Sequence, residues 1–472
     1  MKKKKKHFQF SIKNGIFANY IYFCMNFTNM KTFKKGGIHP EENKLAHDVA
    51  IEEFAIPQKA VLYASQHMGA PATVVVEKGE KVKVGQLISK GTAFISANLH
   101  SPYSGTVSKI EPALNISGYK EEAIHIDVEE DIWDESIDRS AEIKRDITLS
   151  PQEIIEKIKE KGIVGLGGAC FPTHVKLMIP EGKKAEYCII NAAECEPYIS
   201  VDNRLMIERT EEFIIGACIL RKVLGLSEVH IGIENNKPEA IAKVKETAAT
   251  FEGVNVYVLQ TKYPQGAEKQ LIKAIANREV PAGKLPIDMG CVVDNVATAL
   301  AIYEAVQKNK PLIESHLTYS GKSVAQPKNY KVRLGTPIMQ IAEANGGFCV
   351  DTEKIICGGP MMGKTIANVN AYVAKGFTSL LQISEAEATR SLPENCIRCA
   401  KCVNACPMGL EPYLLDMLIE NNRLEDAENE AVMMCIECGS CQFICPSSRP
   451  LLDYIRLGKN KVNKIIRARM QN

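Results

Sequence analysis

The chain has 472 residues, a formal net charge of +2, 45% hydrophobic residues and 24% charged residues. Its length predicts roughly three domains of about 100–200 residues each, and its near-neutral charge gives no reason to expect a nucleic-acid partner. No stretch approaches the roughly 20 consecutive apolar residues of a membrane-spanning helix, so any role at a membrane is expected at its surface. Of the 16 cysteines, half lie in two tight arrays, which favours metal ligands in a reducing compartment over disulfides.

The N-terminal part of the chain divides into an extension and a β-rich domain. Residues 1–30 loosely imitate a signal peptide but lack a cleavage site, so we expect a disordered or non-native extension. In residues 31–120, β-branched runs alternate with Gly-containing turns. Their spacing resembles the biotinyl/lipoyl-like barrel-sandwich hybrid domains. The hairpin tip at residues 94–96 has no lysine for modification, so a structural module is expected, followed by an acidic linker at residues 121–149.

Residues 150–316 alternate between strand and helix patterns. Apolar strands are predicted at 228–233 and 254–259, and helices are predicted to begin near Pro238 and Glu268. Such alternation indicates an α/β domain with a largely parallel sheet.

The C-terminal third is predicted to contain three parts. Residues 317–368 are β-rich, and residues 384–456 are helical apart from the cysteine loops. Residues 457–472 form a basic tail. We expect this tail to be solvated, and docking on a membrane subunit or an anionic leaflet is the alternative.

The two cysteine arrays, residues 396–407 and 435–446, each read C-x2-C-x2-C-x3-C-P. In two-cluster proteins with this spacing, three thiolates hold one 4Fe–4S cluster and the fourth cysteine ligates the other. A zinc site is the alternative, but zinc usually takes two separated cysteine pairs. The predicted ligands are Cys396, Cys399, Cys402 and Cys445 for the first cluster, and Cys435, Cys438, Cys441 and Cys406 for the second.

A Gly-rich loop, GIVGLGGACFPTHVK, spans residues 162–176. It is not a strict G-x-G-x-x-G motif, because Cys170 stands where the third glycine belongs. Glycines leave backbone N–H groups bare, so that a phosphate or a flat ring can approach, and Lys176 could neutralise a phosphate. A plain helix-terminating turn is the alternative. The glycines concerned are Gly165, Gly167 and Gly168.

Two further apolar strands end in polar residues. YCIINAAECEP (187–197) carries Asn191, Glu194 and Glu196, and GCVVDNVATAL (290–300) carries Asp294-Asn295. Open α/β sheets bind ligands at the carboxyl ends of their strands. In an extended segment Glu194 and Glu196 would face the same way, and a solvated pair is the alternative.

Together these segments resemble the flavin- and NADH-binding subunit of respiratory complex I. That family has G-R-G-G-A-G-F-P-T-G-x-K, N-A-D-E-S-E-P, G-E-E and N-N-V-E-T segments. This chain has GLGGACFPTHVK, NAAECEP, GAEKQ and DNVATA in the same order. The resemblance implies hydride transfer on the cofactor, with no catalytic side chain. It implies FMN contacts from Gly165, Gly167, Gly168, Lys176, Asn191, Glu194 and Asn295, and nicotinamide-side contacts from Phe171, Glu196 and Glu268. The chain departs from the family at Leu166, Cys170, His174 and Ala193.

The order of the modules is also informative. Residues 317–366 resemble the soluble-ligand-binding β-grasp module of the same complex I subunit. Barrel-sandwich, flavin domain, β-grasp module and twin ferredoxin, with GGIHPEENK near the start, resemble the C subunits of Rnf ion-translocating electron transport complexes.

That resemblance implies a peripheral subunit of a ferredoxin:NAD oxidoreductase on the cytoplasmic side of the inner membrane. Its partners would be the membrane subunits and, indirectly, ferredoxin. Its cofactors would be FMN and two 4Fe–4S clusters, with NAD(H) as substrate. Two alternatives stay open: a cobalamin-reducing flavoprotein, and a non-enzymatic electron carrier or scaffold with a vestigial Gly-rich loop.

Overall fold

The structure is a computed structural model that describes residues 30–471; the extension predicted for residues 1–30 lies, except for Met30, outside the described residues. The strands are β1 Ile51–Glu53, β2 Lys59–Tyr63, β3 Thr73–Val74, β4 Lys81–Val82, β5 Leu87–Lys90, β6 Leu99–His100, β7 Gly105–Ile110, β8 Ala113–Leu114, β9 Lys120–Glu121, β10 Ala123–Val128, β11 Tyr187–Ala192, β12 Val229–Glu234, β13 Val254–Leu259, β14 Cys291–Asn295, β15 Glu314–Ser320, β16 Lys328–Arg333, β17 Thr352–Cys357, β18 Lys364–Thr365 and β19 Ser379–Ser384.

The α-helices are α1 Pro151–Glu160, α2 Thr173–Leu177, α3 Val201–Glu208, α4 Thr210–Val223, α5 Pro238–Ala248, α6 Glu268–Ala276, α7 Val296–Lys308, α8 Ile338–Ala344, α9 Glu385–Ala388, α10 Lys401–Ala405, α11 Pro412–Glu420, α12 Leu424–Asn429, α13 Ser440–Phe443 and α14 Leu451–Gln471. Short 3-10 helices occur at Pro286–Met289 and Val432–Met434. Within the described residues, no helix combines the length and apolarity needed to cross a bilayer.

The barrel-sandwich consists of a four-stranded sheet, β2-β10-β7-β4, and a three-stranded sheet, β3-β5-β6. Strand β10 pairs antiparallel with both β2 and β7, and its Ile124 and Ile126 are fully buried between the sheets. The acidic linker predicted from residue 121 therefore begins too early. Apolar residues alternate with His125 and Asp127, which is the pattern of a half-buried strand.

Residues 31–50, called the N-terminal strap below, were predicted to belong to the barrel-sandwich, but they add no strand to either of its sheets. The strap runs along the α/β domain, where the Lys31 N–H donates to the Val258 carbonyl at 3.0 Å and Ile38 pairs with Tyr263. It then continues into β1, which pairs in parallel with β16 of a different sheet. The strap thus connects domains that are distant in sequence.

The α/β domain is built on a four-stranded parallel sheet in the order β13-β12-β11-β14. One face packs against α3, α4, α5 and α7, with Ile190 and Ile231 fully buried there. The other face packs against α6, where Leu271 contacts the cluster around Ile189. Because Asn191 and Asn295 are register partners at the ends of β11 and β14, the predicted polar segments meet at one edge of the sheet. The predicted α/β organisation is confirmed.

The β-grasp region is larger than the predicted residues 317–368. Its six-stranded sheet has the order β1-β16-β15-β19-β17-β18, with α8 packed in the adjoining core. Strand β19 lies centrally, parallel to β15 and antiparallel to β17. Its apolar residues Leu380 and Leu381 are fully buried, so the module requires a strand that lies beyond the predicted boundary.

The ferredoxin-like region ends in α14, one 21-residue helix. The basic tail predicted to begin at residue 457 is therefore part of this helix. Val462 is fully buried against the other helices. The Lys459 ammonium donates to the Cys435 carbonyl at 2.7 Å, and Arg469 pairs with Glu428 at 2.9 Å. These contacts explain why the segment is helical rather than a solvated tail.

Candidate flavin and cluster sites

The Gly-rich loop leaves α1 and folds back on itself before α2. Val164 and Pro172 form an antiparallel bridge, and the Gly165 N–H donates to the Phe171 carbonyl at 2.9 Å. A β-carbon at Gly167 would lie 2.9 Å from the Asn295 side chain, whereas one at Gly168 would meet no atom within 4 Å. The N–H groups of both glycines donate to no acceptor within residues 30–471. The loop thus presents bare backbone, as a cradle for a phosphate or a flat ring requires.

The four departures from the complex I pattern do not fill this cradle. Leu166, His174 and Ala193 are buried in the interior of the domain, and burial lowers the pKa of His174 to about 4. Cys170 is half-buried with φ of +53°, and a β-carbon at Gly376 would lie 2.4 Å from its Sγ. The substituted side chains therefore pack away from the exposed glycines.

Lys176 lies at the carboxyl end of β14. Its ammonium donates to the Val293 carbonyl at 2.6 Å and to Asp294 Oδ1 at 3.2 Å. Burial acts to lower the pKa of Lys176, but the Asp294 and Glu268 carboxylates together outweigh burial and the pKa is raised. Lys176 is therefore held by the strand end and does not project freely as a phosphate ligand would. Asp294 Oδ2 is buried without a hydrogen-bond partner among the described residues.

The two predicted asparagines act as braces in the structure. Asn191 Nδ2 donates to the Gly266 carbonyl at 2.8 Å, which joins the end of β11 to the loop before α6. Asn295 Nδ2 donates to Asp202 Oδ2 at 2.6 Å, and its Oδ1 accepts the Ala297 N–H at 2.8 Å at the start of α7. Both amides shape the walls of the cradle.

Glu194 and Glu196 do not face the same way, contrary to the prediction. Glu194 has φ of +48°, so the segment is not extended there. Its carboxylate accepts the N–H groups of Asp202 at 2.6 Å and Asn203 at 3.3 Å, at the start of α3. Burial raises the pKa of Glu194 and also that of Glu196, the latter to about 7.

The Glu196 carboxylate reaches the β-grasp module instead. It accepts the N–H groups of Met361 at 3.1 Å and Met362 at 2.9 Å, and its Oε1 lies 3.3 Å from the Tyr263 hydroxyl oxygen. The other predicted nicotinamide-side residues lie nearer the cradle. Phe171 is half-buried at the end of the Gly-rich loop, and Glu268 begins α6 as an exposed residue.

Lys44 of the N-terminal strap supports this loop, and sequence reasoning missed it. Its ammonium donates to the carbonyls of Glu194 at 2.7 Å, Glu196 at 2.8 Å and Ile199 at 2.5 Å. Burial lowers the pKa of Lys44, and the Glu194 carboxylate opposes that effect. No local sequence signal connects Lys44 to a loop that lies about 150 residues away along the chain.

The second cysteine array and one residue of the first wall a single cavity. Cys406 lines it together with Cys435, Cys438 and Cys441, the four residues predicted for the second cluster. Four cysteines among the lining residues supply the donor set of a cubane, in which each iron takes one thiolate. Within residues 30–471, no three His, Cys, Asp or Glu side chains converge on a position for a single metal ion.

The predicted ligands of the first cluster are more open to solvent. Cys396 and Cys399 are exposed, Cys402 is buried and Cys445 is half-buried. Cys402 lies in the buried apolar cluster of this region and Cys445 packs against the same cluster, so cysteines of both arrays meet in one core. The structure therefore brings the fourth cysteine of each array toward the other array.

Three families match parts of the chain. The family described as RnfC barrel sandwich hybrid domain matches residues 31–131. The Nuo51 FMN-binding domain matches residues 158–304, and the 4Fe-4S dicluster domain matches residues 389–446. The dicluster match favours iron–sulfur clusters over zinc, and the predicted fold classes of these regions are confirmed.

Relatives resemble nearly the whole chain. The C subunit of the proton-translocating ferredoxin:NAD(+) oxidoreductase complex of Clostridium ljungdahlii is 42% identical over 92% of this chain and 94% of its own length. The chain belongs to this C-subunit family. The C subunit of the Na(+)-translocating complex of Acetobacterium woodii is 39% identical over 91% of this chain and 96% of its own length. The C subunit of the ion-translocating oxidoreductase complex of Rhodobacter capsulatus is also 39% identical, over 91% of this chain and 83% of its own length.

Proposed function

We propose that this member of the C-subunit family is a peripheral subunit of an Rnf-type ferredoxin:NAD oxidoreductase. It would pass electrons between NAD(H), FMN and two 4Fe–4S clusters. One observation supports the proposal. Tyr263 lies between the loop that bears Glu196, at the edge of the parallel sheet, and the second cysteine array. Its hydroxyl donates to the Cys438 carbonyl at 2.8 Å. A candidate flavin site and a candidate cluster site therefore share one hydrogen-bonded boundary.

The chain's own residues would hold FMN at the Gly-rich loop. Gly167 and Gly168 offer bare backbone, and Asp294 Oδ2 is a buried acceptor without a partner among the described residues. Bound FMN would supply the exchange between hydride pairs and single electrons. The remaining residues of the predicted set, Gly165, Lys176, Asn191, Glu194 and Asn295, would shape the cradle through the contacts described above.

The nicotinamide side would be formed by Phe171, Glu196 and Glu268. The exposed Glu268 carboxylate stands at the first turn of α6, where it can accept hydrogen bonds from a ribose. Glu196 is already engaged with the β-grasp backbone, so its role would be to fix the floor of the site. NADH loses two electrons and one proton as it becomes NAD+, and the two clusters can each accept one electron.

The exposed first array would face the partner subunits. Cys396 and Cys399 are exposed, which leaves the first cluster accessible to another redox protein, whereas the second lies against the α/β domain. We place the protein on the cytoplasmic side of the inner membrane, attached through the membrane subunits of the complex. Ferredoxin would exchange electrons with it indirectly.

Cofactor analysis of the anaerobically purified chain tests this function. We expect about eight iron and eight sulfide per chain, as two 4Fe–4S clusters require, together with one FMN. NADH should bleach the flavin and then the cluster absorbance. Clusters without FMN would support the electron-carrier alternative, and NADH-dependent reduction of cobalamin would support the cobalamin-reductase alternative.

A further inference from the structure

Tyr263 occupies a three-way contact between the α/β domain, the β-grasp module and the ferredoxin-like region. Its side chain is 2% exposed. Its hydroxyl lies 2.8 Å from the Cys438 carbonyl oxygen and 3.3 Å from Glu196 Oε1. A tyrosine hydroxyl carries a single proton, and the shorter distance directs that proton to Cys438. The second array is thus bonded directly to a side chain of the α/β domain.

The main chain of Tyr263 is fixed by the N-terminal strap. Ile38 and Tyr263 exchange two hydrogen bonds, each 2.9 Å from N–H to carbonyl. In the strap just before Ile38, the Gly37 N–H donates to the Ala405 carbonyl at 2.9 Å. A β-carbon at Gly36 would lie 2.4 Å from the carbonyl of Cys406. The strap therefore contacts both Tyr263 and the last cysteine of the first array and joins them.

The β-grasp loop completes the contact. A β-carbon at Gly359 would lie 1.9 Å from Glu196 Oε2, and one at Gly439 would lie 3.2 Å from the Met361 carbonyl. The first approach excludes a side chain and the second is tight, so the loop lies against Glu196 on one side and against the second array on the other. Ile38, Tyr263, Ala405 and Cys438 form one buried apolar cluster there, with Met361 packed against it.

We propose that Tyr263 is a positioning residue that fixes the second cluster against the nicotinamide side of the flavin site. This rests on the function proposed above. The Tyr263 hydroxyl bonds the loop of Cys438, and Glu196 bonds the β-grasp loop that covers it. The position of the cluster loop matters, because electron transfer slows as the distance between donor and acceptor grows. Loss of the bond would also admit water beside the second cluster, and solvent exposure shifts cluster potentials.

The test compares Tyr263→Phe with Tyr319→Phe in the complete chain loaded with FMN and clusters. Phenylalanine keeps the buried ring and removes only the hydroxyl. Tyr319 is a matched control, because it is 1% exposed and its hydroxyl bonds Gln382 within the β-grasp sheet. Three quantities are measured: amide hydrogen exchange in residues 436–442, midpoint potentials of both clusters by EPR-monitored titration, and the ratio of cluster bleaching to flavin bleaching after NADH is added.

For Tyr263→Phe we expect exchange in residues 436–442 to be about three- to tenfold faster, as the loss of one well-formed hydrogen bond allows. We also expect a shifted potential of one cluster only and a lower ratio of cluster bleaching to flavin bleaching. Tyr319→Phe should change none of these. Wild-type exchange, potentials and ratio in Tyr263→Phe would overturn the proposal, and so would equal shifts in both variants. If the wild-type chain bound no FMN or showed no NADH-dependent bleaching, the proposed function would fail instead, while the exchange measurement would still decide whether Tyr263 holds the second array.

Discussion

Lys44→Met removes the ammonium that supports the loop from Glu194 to Ile199. Lys44 donates to three carbonyls at 2.5 to 2.8 Å, and its positive charge stabilises the buried Glu194 carboxylate. Removing one partner of a buried charge pair costs roughly 3–5 kcal/mol. Lys44 is outside the cradle, so the loss acts by releasing the loop. Only the part of this cost that loosens the loop in the FMN-bound state affects binding. A share of about 1.4–2.8 kcal/mol would lower FMN affinity by about 10- to 100-fold, since each 1.4 kcal/mol is about a factor of ten.

FMN affinity is measured by flavin fluorescence during titration of the apo chain, and stability is measured by urea unfolding. Lys81→Met is the matched control, because the Lys81 side chain is 80% exposed and its ion pair with Glu129 spans 3.6 Å. We expect that variant to lose no more than about 0.5 kcal/mol. If Lys44→Met bound FMN with wild-type affinity and unfolded at the wild-type urea concentration, Lys44 would not support the site and the reasoning would be wrong.

Three further predictions concern the clusters and the domain junctions. Cys406→Ala should abolish the EPR signal of the second cluster and preserve that of the first; loss of the first would contradict the crossed ligand sets. Lys375 donates to the Asn98 and Gly162 carbonyls, each at 2.7 Å, and burial lowers its pKa to about 7. In the unfolded chain the pKa of Lys375 is about 10.4. Between about pH 7 and 10.4 the unfolded chain therefore binds one proton more than the folded chain. The unfolding free energy should therefore rise with pH from about 7 to 10, by up to about 1.4 kcal/mol per pH unit, and Lys375→Met should remove that slope in urea titrations. Gly376→Ala should destabilise the chain by about 1–3 kcal/mol through overpacking against the Cys170 thiol; addition of Cys170→Gly should restore the thermal midpoint, and a double variant as unstable as the single one would refute the contact.

The parts of the fold that were predictable depend on signals that are local in the chain. The apolar runs of β11 and β14 and the polar residues after them are each contained in a short segment, so their meeting at a sheet edge followed from strand direction alone. The cysteine spacing also predicts the crossed cluster ligands, and the cavity that Cys406 shares with Cys435 supports that prediction. Each of these patterns is contained in a short segment, so the sequence alone indicates the geometry.

The parts that were missed depend on contacts between distant segments. Nothing in the sequence around Lys44 indicates a loop near residue 196, and β1 joins β16 across more than half of the chain, as in the pairing of Glu53 with Lys331. The extended-strand argument failed at Glu194 because its left-handed φ reverses the direction of the chain. Lys176 was expected to neutralise a phosphate, but it pairs with Asp294, and the sequence gives no sign of that contact.

The departures of the Gly-rich loop from the complex I pattern are best explained by packing in the interior. Leu166 and Ala193 are buried, where an apolar side chain stabilises the core, and neither lies within 4 Å of a β-carbon built at Gly168. Cys170 is accommodated because residue 376 has no β-carbon to meet its thiol. Substitutions that degraded a vestigial loop would have no reason to spare Gly168, whose surroundings stay open to 4 Å. The substituted residues are accommodated in the interior and the glycine backbone remains exposed. This favours a cradle that still binds a flat ring over an electron carrier that has lost its flavin.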